Sequence, residues 1–305
     1  DILDSALMFT ARDAGERILH DLDAITSSLA AFALAHRDEV AAARTLTQHA
    51  VPTTVGLRAA TWLRGVRRAE TRLRAAVTEL PAQLGGAAGT LASFVEIGGA
   101  HAATALPAAF ADALGLAAPD APWHTTRWPI TELGDALVQT CDALGVIAAD
   151  VATLSRTEIG EFSEGVGGGS STMPQKQNPA GAVLIRSAAI RAPHLGATLH
   201  TAAALAVDER PDGAWHAEWP TLRELLRLTR GAAGTGAGLV DGLRVHSDAV
   251  ARNLALTGDA ILAERRALAP ADAVGLDDPA AYLGLAGILV DGAVRTEAAV
   301  REAQS

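Results

Sequence analysis

The sequence is poor in several residues whose scarcity limits what the protein can be. It contains one cysteine, Cys141, so an internal disulfide framework is excluded and a reducing compartment is expected. Acidic residues outnumber basic ones to give a net charge of −10, which argues against nonspecific binding to nucleic acid. No apolar run reaches the roughly 18 residues of a membrane span, because charged residues or glycine interrupt every one. We therefore expect a cytoplasmic protein that associates with neither nucleic acid nor membrane.

Apolar residues recur along the chain with the spacing of a helix. One stripe consists of Ile18, Leu22, Ile25, Leu29 and Phe32, and a second of Leu137, Leu144, Ile147, Val151 and Leu154. Apart from one longer interval, the members of each stripe are three or four residues apart, which places them on one face of a helix. Stripes on helices this long are buried against neighbouring long helices. The sequence therefore predicts an all-α protein built as a long-helix bundle.

Glycine and proline residues mark predicted loops that separate the helical segments. Further helical patterns cover about 57–80, 180–206 and 220–242. Loops are predicted at 85–89, 119–129, 165–179 and 211–220. Beyond about residue 243 the pattern is shorter and is broken by Pro270 and Pro279. We expect a central helical-bundle domain over residues 1–242 and a small C-terminal helical subdomain over residues 243–305.

One segment concentrates groups that bind anions. Residues 167–179 read Gly-Gly-Gly-Ser-Ser-Thr-Met-Pro-Gln-Lys-Gln-Asn-Pro, and Lys176 is the only lysine in the chain. Glycines let a ligand approach closely, and consecutive backbone amides in such a loop can face an anion. A polar surface loop is the alternative interpretation. Because Pro174 and Pro179 stiffen the segment, we favour an anion-binding catalytic loop.

Residues 169–179 resemble the signature of the fumarase/aspartase superfamily, and residues 1–6 and 44–56 resemble two further blocks of that family. The resemblance implies that Ser170 exchanges a proton with the carbon next to a substrate carboxylate. It implies that Lys176 and Asn178 bind that carboxylate and stabilise the enolate-like intermediate, with Ser171, Thr172 and Met173 also contacting substrate. It further implies a homotetramer with active sites shared between subunits, no cofactor, and the absence of the family's N-terminal domain from this chain.

Four more segments are similar to 3-carboxy-cis,cis-muconate cycloisomerases; they are residues 83–91, 122–127, 209–219 and 278–284. Leu46 occupies the place where most amine-expelling members of the superfamily carry a histidine. An apolar side chain cannot protonate a leaving group, so the leaving group should already be a stable anion. The resemblance implies a cycloisomerase of aromatic catabolism, in the protocatechuate branch of the β-ketoadipate pathway. The alternatives are a lyase that expels nitrite from nitrosuccinate, an aspartase-like ammonia lyase, and a helical scaffold without activity.

Other polar residues are candidates for binding a small polycarboxylate substrate; they are Thr45, Gln48, His124, Arg127, Arg210 and His216. Each has a structural alternative: a capping or back-bonded helical threonine, a loop arginine that bonds carbonyls, or a surface salt bridge. His49 could share a helical face with position 46 and act as a displaced acid. No two histidines are four residues apart, and no cluster has the spacing of metal ligands, so no metal site is predicted.

Overall fold

The computed structural model describes residues 1–169, 171–173, 175–270 and 272–304. The helices are α1 (Ile2–Ala35), α2 (Val55–Thr78), α3 (Ala92–Leu114), α4 (Trp128–Leu154), α5 (Ala180–Ala204), α6 (Gly213–Asp241), α7 (Ser247–Leu256), α8 (Ala263–Leu268) and α9 (Ala286–Gln304). Two antiparallel pairs of strands accompany them: β1 (Val40–Thr45) with β2 (Gln48–Thr54), and β3 (Phe162–Ser163) with β4 (Arg244–Val245). The prediction of an all-α long-helix protein is confirmed. The two small sheets were not predicted.

The chain divides into two compact units, of which the first comprises Asp1–Leu22, Arg68–Gly145 and Ile185–Gly234. Apolar side chains from α1, α2, α4, α5 and α6 are fully buried in it, among them Met8, Leu73, Leu133, Leu199 and Leu225. Gly15 of α1 faces Val77 of α2 so closely that a Cβ at position 15 would overlap the valine methyl groups. The helices of this unit therefore pack through small residues as well as through apolar stripes.

The second unit comprises Asp23–Arg67, Val146–Leu184 and Thr235–Ser305. Its core includes the second half of each predicted stripe, for example Ile25 and Leu29 of α1 and Val151 of α4, all fully buried. The Phe162 ring lies edge-on to the Trp62 ring, with a centroid distance of 6.0 Å. Residues 243–304 pack in this unit together with earlier segments, and the division of the chain at residue 242 remains a prediction.

Helix boundaries differ from the sequence prediction at three places. An alanine-rich stretch that was not predicted as a helix forms α3, which is interrupted by non-helical angles at Gly99. Helix α6 begins at Gly213 and continues through Pro220, which was predicted to lie in a loop. In the C-terminal region α9 is 19 residues long, although the pattern there predicted only short helices. Packing against other helices overrides the local preference of glycine and proline at these positions.

Two helices, α1 and α4, are long and apolar enough to cross a membrane by length and composition alone. The expectation that no segment would qualify is therefore wrong, because isolated charged residues do not lower the mean hydropathy of these helices enough. In each case 44% of the most apolar window is buried inside the protein. Because both helices carry fully buried stripes, their hydropathy is that of core helices.

Candidate functional site

The segment that was predicted to bind anions is a loop between β3 and α5, and we call residues 165–179 the glycine-rich loop. Its two ends are paired: Gly168 and Asn178 exchange backbone N–H···O hydrogen bonds of 2.8 and 2.9 Å. The Asn178 side-chain amide also donates to the Gly168 carbonyl at 2.9 Å. Gly165 lies against Gly242, so closely that a Cβ at position 165 would overlap the backbone of Gly242. The base of the loop is thus fixed by its own chain.

The tip of the glycine-rich loop is open to solvent. Ser171, Thr172, Met173 and Lys176 are all exposed. The Lys176 backbone amide donates to the Met173 carbonyl at 2.9 Å, and its ammonium makes no ion pair within the part of the chain that the structure describes. The tip therefore offers a cation and hydroxyls to an incoming anion. Ser170, the predicted proton-transfer residue, lies outside the described residues.

Glu164 ties the loop to the start of α5. Its two carboxylate oxygens accept hydrogen bonds from the backbone amides of Gly181 at 3.1 Å and Ala182 at 2.7 Å. The first amides of a helix have no partner within the helix, and a carboxylate there also meets the positive end of the helix dipole. The sequence prediction did not include Glu164, because it lies 17 and 18 residues before the two amides, too far along the chain to form a local capping pattern.

Thr45 and Gln48 lie at the end of a β-hairpin and not on a helix, so the helical placement assumed for them is wrong. They face each other across strands β1 and β2. Leu46 and Thr47 form the two-residue turn between them, with φ of 48° and 74°, as in a type I′ hairpin turn. Leu46 is 96% exposed. An apolar side chain is thus presented at the tip of the hairpin, in a backbone conformation that disfavours it.

His49 does not share a face with Leu46, contrary to the helical expectation. Its Nδ1 lies 2.6 Å from the hydroxyl of Thr257. Burial lowers the pKa of His49, and the positive charge of Arg44 lowers it further. An imidazole that is neutral and held by a hydroxyl is a structural group in this position, and the structure gives no support to His49 as a displaced acid.

Glu161 connects the hairpin to the glycine-rich loop. Its side chain is 1% exposed and accepts hydrogen bonds from Arg44 Nη2 at 2.5 Å and Asn253 Nδ2 at 2.9 Å. Arg58 Nη1 lies 3.8 Å away as a second cation. The carboxylate therefore holds β1, α7 and the segment before β3 together. Sequence reasoning missed this residue, because partners more than ninety residues apart leave no local pattern.

A second group of predicted residues gathers in the first unit. Arg127 is fully buried and donates to both carboxylate oxygens of Asp4, at 3.1 and 2.8 Å, and to Glu218 at 2.7 Å. Burial alone would raise the pKa of Asp4, but the hydrogen bonds from Arg127 hold it below its usual range. Burial raises the pKa of Glu218 despite the same arginine. These contacts make Arg127 a positioning residue here, and its contact with substrate remains a prediction.

His124, Arg210 and His216 are bound to other groups of the chain. His124 Nε2 lies 3.3 Å from an Asp1 carboxylate oxygen, and burial lowers the pKa of the imidazole. Arg210 donates to the carbonyl of Gly86 at 3.0 Å. This contact is neither the binding of a substrate carboxylate nor the surface salt bridge that were considered for it. His216 Nδ1 lies 2.8 Å from the Asp212 carbonyl oxygen. Their role in binding substrate remains a prediction.

The predicted residues thus fall into two groups. The second unit holds the glycine-rich loop and the hairpin turn with Thr45 and Gln48, and the first unit holds the remaining four candidates. Among the described residues there is no group of three histidine, cysteine, aspartate or glutamate side chains that could hold a metal ion. The chemistry that this arrangement offers is the binding of an anion by Lys176 and nearby donors.

Comparison with known proteins identifies relatives along most of the chain. Residues 1–193 match the protein-family model described as Lyase. Nitrosuccinate lyase of Streptomyces davaonensis is 49% identical over 271 residues, which are 87% of this chain and 57% of that protein. The 3-carboxy-cis,cis-muconate cycloisomerase of Pseudomonas aeruginosa is 42% identical over 281 residues, which are 90% of this chain and 60% of that protein.

A solved structure has the same fold. The 3-carboxy-cis,cis-muconate lactonizing enzyme from Pseudomonas putida superposes with a TM-score of 0.86 at 33% sequence identity, covering 97% of this chain and 74% of that one. The chain therefore spans about three-fifths of the length of the curated relatives it matches.

Proposed function

This chain belongs to the lyase family of the fumarase/aspartase superfamily, and from that membership we propose that it catalyses addition or elimination at the carbon next to a substrate carboxylate. Ser170 transfers the proton to or from that carbon. Lys176 and Asn178 bind the carboxylate. This assignment comes from the family resemblance of the glycine-rich loop, and the exposed ammonium of Lys176, which has no ion pair among the described residues, supports it.

The chemistry requires such donors. Removing a proton from a carbon next to a carboxylate places a second negative charge on the same group, and preorganised cations and amides stabilise that charge. Ser170 acts as a base only as an alkoxide, and a nearby positive group lowers the pKa of a hydroxyl in the direction that this requires. No other lysine exists in the chain, so Lys176 is the one amine that the sequence offers for this purpose.

The observation that carries the choice of reaction is Leu46 at the exposed tip of the hairpin. Most members of the superfamily that expel an amine carry a histidine at this place. Here the side chain cannot donate a proton, and His49 is turned toward Thr257. A leaving group that departs without protonation is the anion of a fairly strong acid. A carboxylate and nitrite both meet that condition; an aspartase-like ammonia lyase, which also manages without a histidine at this place, is a further alternative.

We propose 3-carboxy-cis,cis-muconate as the substrate. One carboxylate oxygen of the muconate attacks the conjugated double bond in the same molecule, and Ser170 delivers a proton to the resulting carbanion, which gives a carboxymuconolactone. The similarity to the Pseudomonas cycloisomerases supports this substrate. The protein would then act in the cytoplasm, in aromatic catabolism.

Nitrosuccinate is the second candidate, because a nitrosuccinate lyase is 49% identical to this chain. In that reaction Ser170 takes the proton from the carbon, the C–N bond breaks, nitrite leaves with the electron pair, and fumarate forms. The same residues serve both reactions, so the loop alone does not separate them.

We also propose that the active protein is a homotetramer in which segments of different subunits complete each site. The exposed loop tip and the exposed Leu46 support this, since each presents groups that are not covered within its unit. Two inactive variants, Lys176→Gln and Thr45→Val with Gln48→Ala, should regain partial activity when their subunits are mixed and reassembled. Mixing without any gain would contradict shared sites.

A substrate panel tests the proposed reaction. With the full-length protein, carboxymuconate should lose its conjugated-diene absorbance, while nitrosuccinate is assayed for nitrite and aspartate for ammonia. We expect the first activity. Nitrite release with inert carboxymuconate would move the assignment to nitrosuccinate, and ammonia release would move it to an aspartase-like ammonia lyase.

A further inference from the structure

We propose a second catalytic site in this protein, at which Ser163 and His246 hydrolyse esters of small carboxylic acids. Both residues line a cavity of about 390 Å³ in the second unit. We call it the loop-base cavity, because both ends of the glycine-rich loop also line it. The Ser163 hydroxyl lies 2.9 Å from Nε2 of His246. A hydroxyl within hydrogen-bonding distance of an imidazole, at the wall of a cavity, is the arrangement that nucleophilic catalysis by serine requires.

The small sheet of β3 and β4 places these side chains together. Ser163 pairs with Arg244 across the two strands, and His246 follows two residues after Arg244. Directly paired residues have neighbouring side chains, and residues two apart along a strand point to the same face. Phe162, the preceding residue of β3, is buried in the core. The opposite face of the sheet therefore carries a hydroxyl, an imidazole and a guanidinium.

The surroundings leave these three groups able to react with a molecule in the cavity. The His246 backbone amide donates to the Glu161 carbonyl at 2.8 Å, so the residue is anchored through its main chain while its ring lines the cavity. Arg244 is exposed and has no ion pair with the residues that the structure describes. The one acidic residue of the lining, Glu164, directs both carboxylate oxygens to the first amides of α5. The Arg244 guanidinium therefore supplies the positive charge that an oxyanion needs.

The hydrolysis has two steps that balance. In the tautomer with its proton on Nδ1, His246 accepts the Ser163 proton on Nε2 while the serine oxygen attacks the acyl carbon. The ester C–O bond then breaks, and the leaving alkoxide takes that proton from Nε2. Water attacks the acyl-serine, again with His246 as the base, which releases the carboxylic acid and restores the hydroxyl. Arg244 stabilises the negative charge on the carbonyl oxygen in both steps.

The cavity also contains a matched control. Ser155 lines the loop-base cavity, but its hydroxyl donates to the Val151 carbonyl of α4 at 2.7 Å. Ser155 is thus a serine of the same cavity whose hydroxyl is bound to the main chain and not to an imidazole. None of these residues takes part in the proposed reaction of the glycine-rich loop, which depends on Ser170 and Lys176.

Hydrolysis of p-nitrophenyl acetate tests the site. The full-length protein should carry Ser170→Ala, so that the serine of the proposed reaction contributes nothing. In that background we expect release of p-nitrophenol above the buffer rate, and mass spectrometry should find an acetyl group on Ser163 during turnover. Ser163→Ala and His246→Gln should each lower the rate by at least about tenfold, because the nucleophile or its base is removed. Ser155→Ala should leave the rate unchanged.

The outcomes are separable from those of the reaction at the loop tip. Loss of ester hydrolysis in Ser163→Ala, but not in Ser155→Ala, supports the site whatever the result with carboxymuconate. Equal rates in the two variants, or no release above the buffer rate, would overturn it. If Ser163→Ala changes the circular dichroism, Ser163→Cys decides, because it keeps a nucleophile beside the same imidazole. Acetylation at position 163 in that variant supports the site, and its absence would overturn it.

Discussion

Arg44 and Glu161 form an ion pair, with Nη2 of Arg44 2.5 Å from Oε1 of Glu161, that joins the hairpin to the segment before the glycine-rich loop. The two elements that carry predicted substrate-binding residues in the second unit are therefore positioned by one buried carboxylate. Arg44 is compensated by this carboxylate, and Arg58 interacts with it and with Asp150.

Glu161→Gln should lower the free energy of unfolding by about 3 kcal/mol, because it leaves the largely buried Arg44 guanidinium without its anion and removes one of the two carboxylates that act on Arg58. The variant should also lower kcat, since the hairpin and the loop lose their common anchor. Urea unfolding and steady-state kinetics measure the two effects. Glu158→Gln, at an exposed position four residues from α4, is the matched control, and an equal loss in the control would contradict this role of Glu161.

Arg127 is a buried charged residue that joins separate segments of the first unit, as Glu161 does in the second. Arg127→Met should destabilise the protein by about 3–5 kcal/mol, because Asp4 and Glu218 would remain buried without a cation. The surface pair Arg191–Glu224 has side chains 53% and 37% exposed, so Arg191→Met should cost less than about 1 kcal/mol. Denaturant midpoints compare the two variants. A small effect of Arg127→Met would show that the buried carboxylates take up protons at little cost.

Stability should fall as the pH is lowered from neutral through 6.5, the ordinary pKa of histidine. The pKa of His124 in the folded protein is lowered by burial and by Arg210, and His49 is shifted in the same direction. Between the folded and unfolded pKa values the unfolded chain binds a proton that the folded chain does not, so acid favours unfolding. His124→Gln should make the unfolding midpoint less dependent on pH over this range. His200→Gln, whose side chain is 55% exposed, should leave the dependence unchanged; if it has the effect of His124→Gln, burial is not the cause.

Leu46 tests the argument that no acid is needed. Asparagine tolerates the left-handed backbone at this turn better than leucine does, so Leu46→Asn should fold at least as stably. Turnover of the substrate identified in the panel should change by less than about tenfold, since the leaving group departs as an anion. A loss of a hundredfold or more with unchanged assembly would assign Leu46 a direct part in the reaction.

How much the sequence could predict depends on the range of the interactions. The stripes of α1 and α4 repeat every three or four residues, and their members from Ile18 to Leu29 are buried as predicted. The turn at Leu46 and Thr47 lacks the glycine or asparagine that marks a type I′ hairpin, and β1 carries a bulge near Ala43. Local pattern therefore gave no sign of the hairpin.

The candidate site likewise contains a part that is contiguous in sequence and a part that is formed by residues far apart in sequence. The glycine-rich loop is contiguous, so its chemistry was visible in thirteen consecutive residues. The surroundings of Arg127 come from Asp4, 123 residues away, and Glu218, 91 residues away. Periodicity and composition contain no information on such pairs, and only the folded chain shows that this arginine is enclosed between two carboxylates.

The most direct test of the account is the turnover number of Ser170→Ala in the full-length protein, measured with the substrate that the panel identifies. We expect a fall of about three orders of magnitude or more with unchanged assembly on gel filtration, because the proton-transfer group is removed. Ser171→Ala, the neighbouring hydroxyl, should lose no more than about tenfold. A Ser170→Ala variant with near-normal turnover would contradict the assignment of proton transfer to the glycine-rich loop.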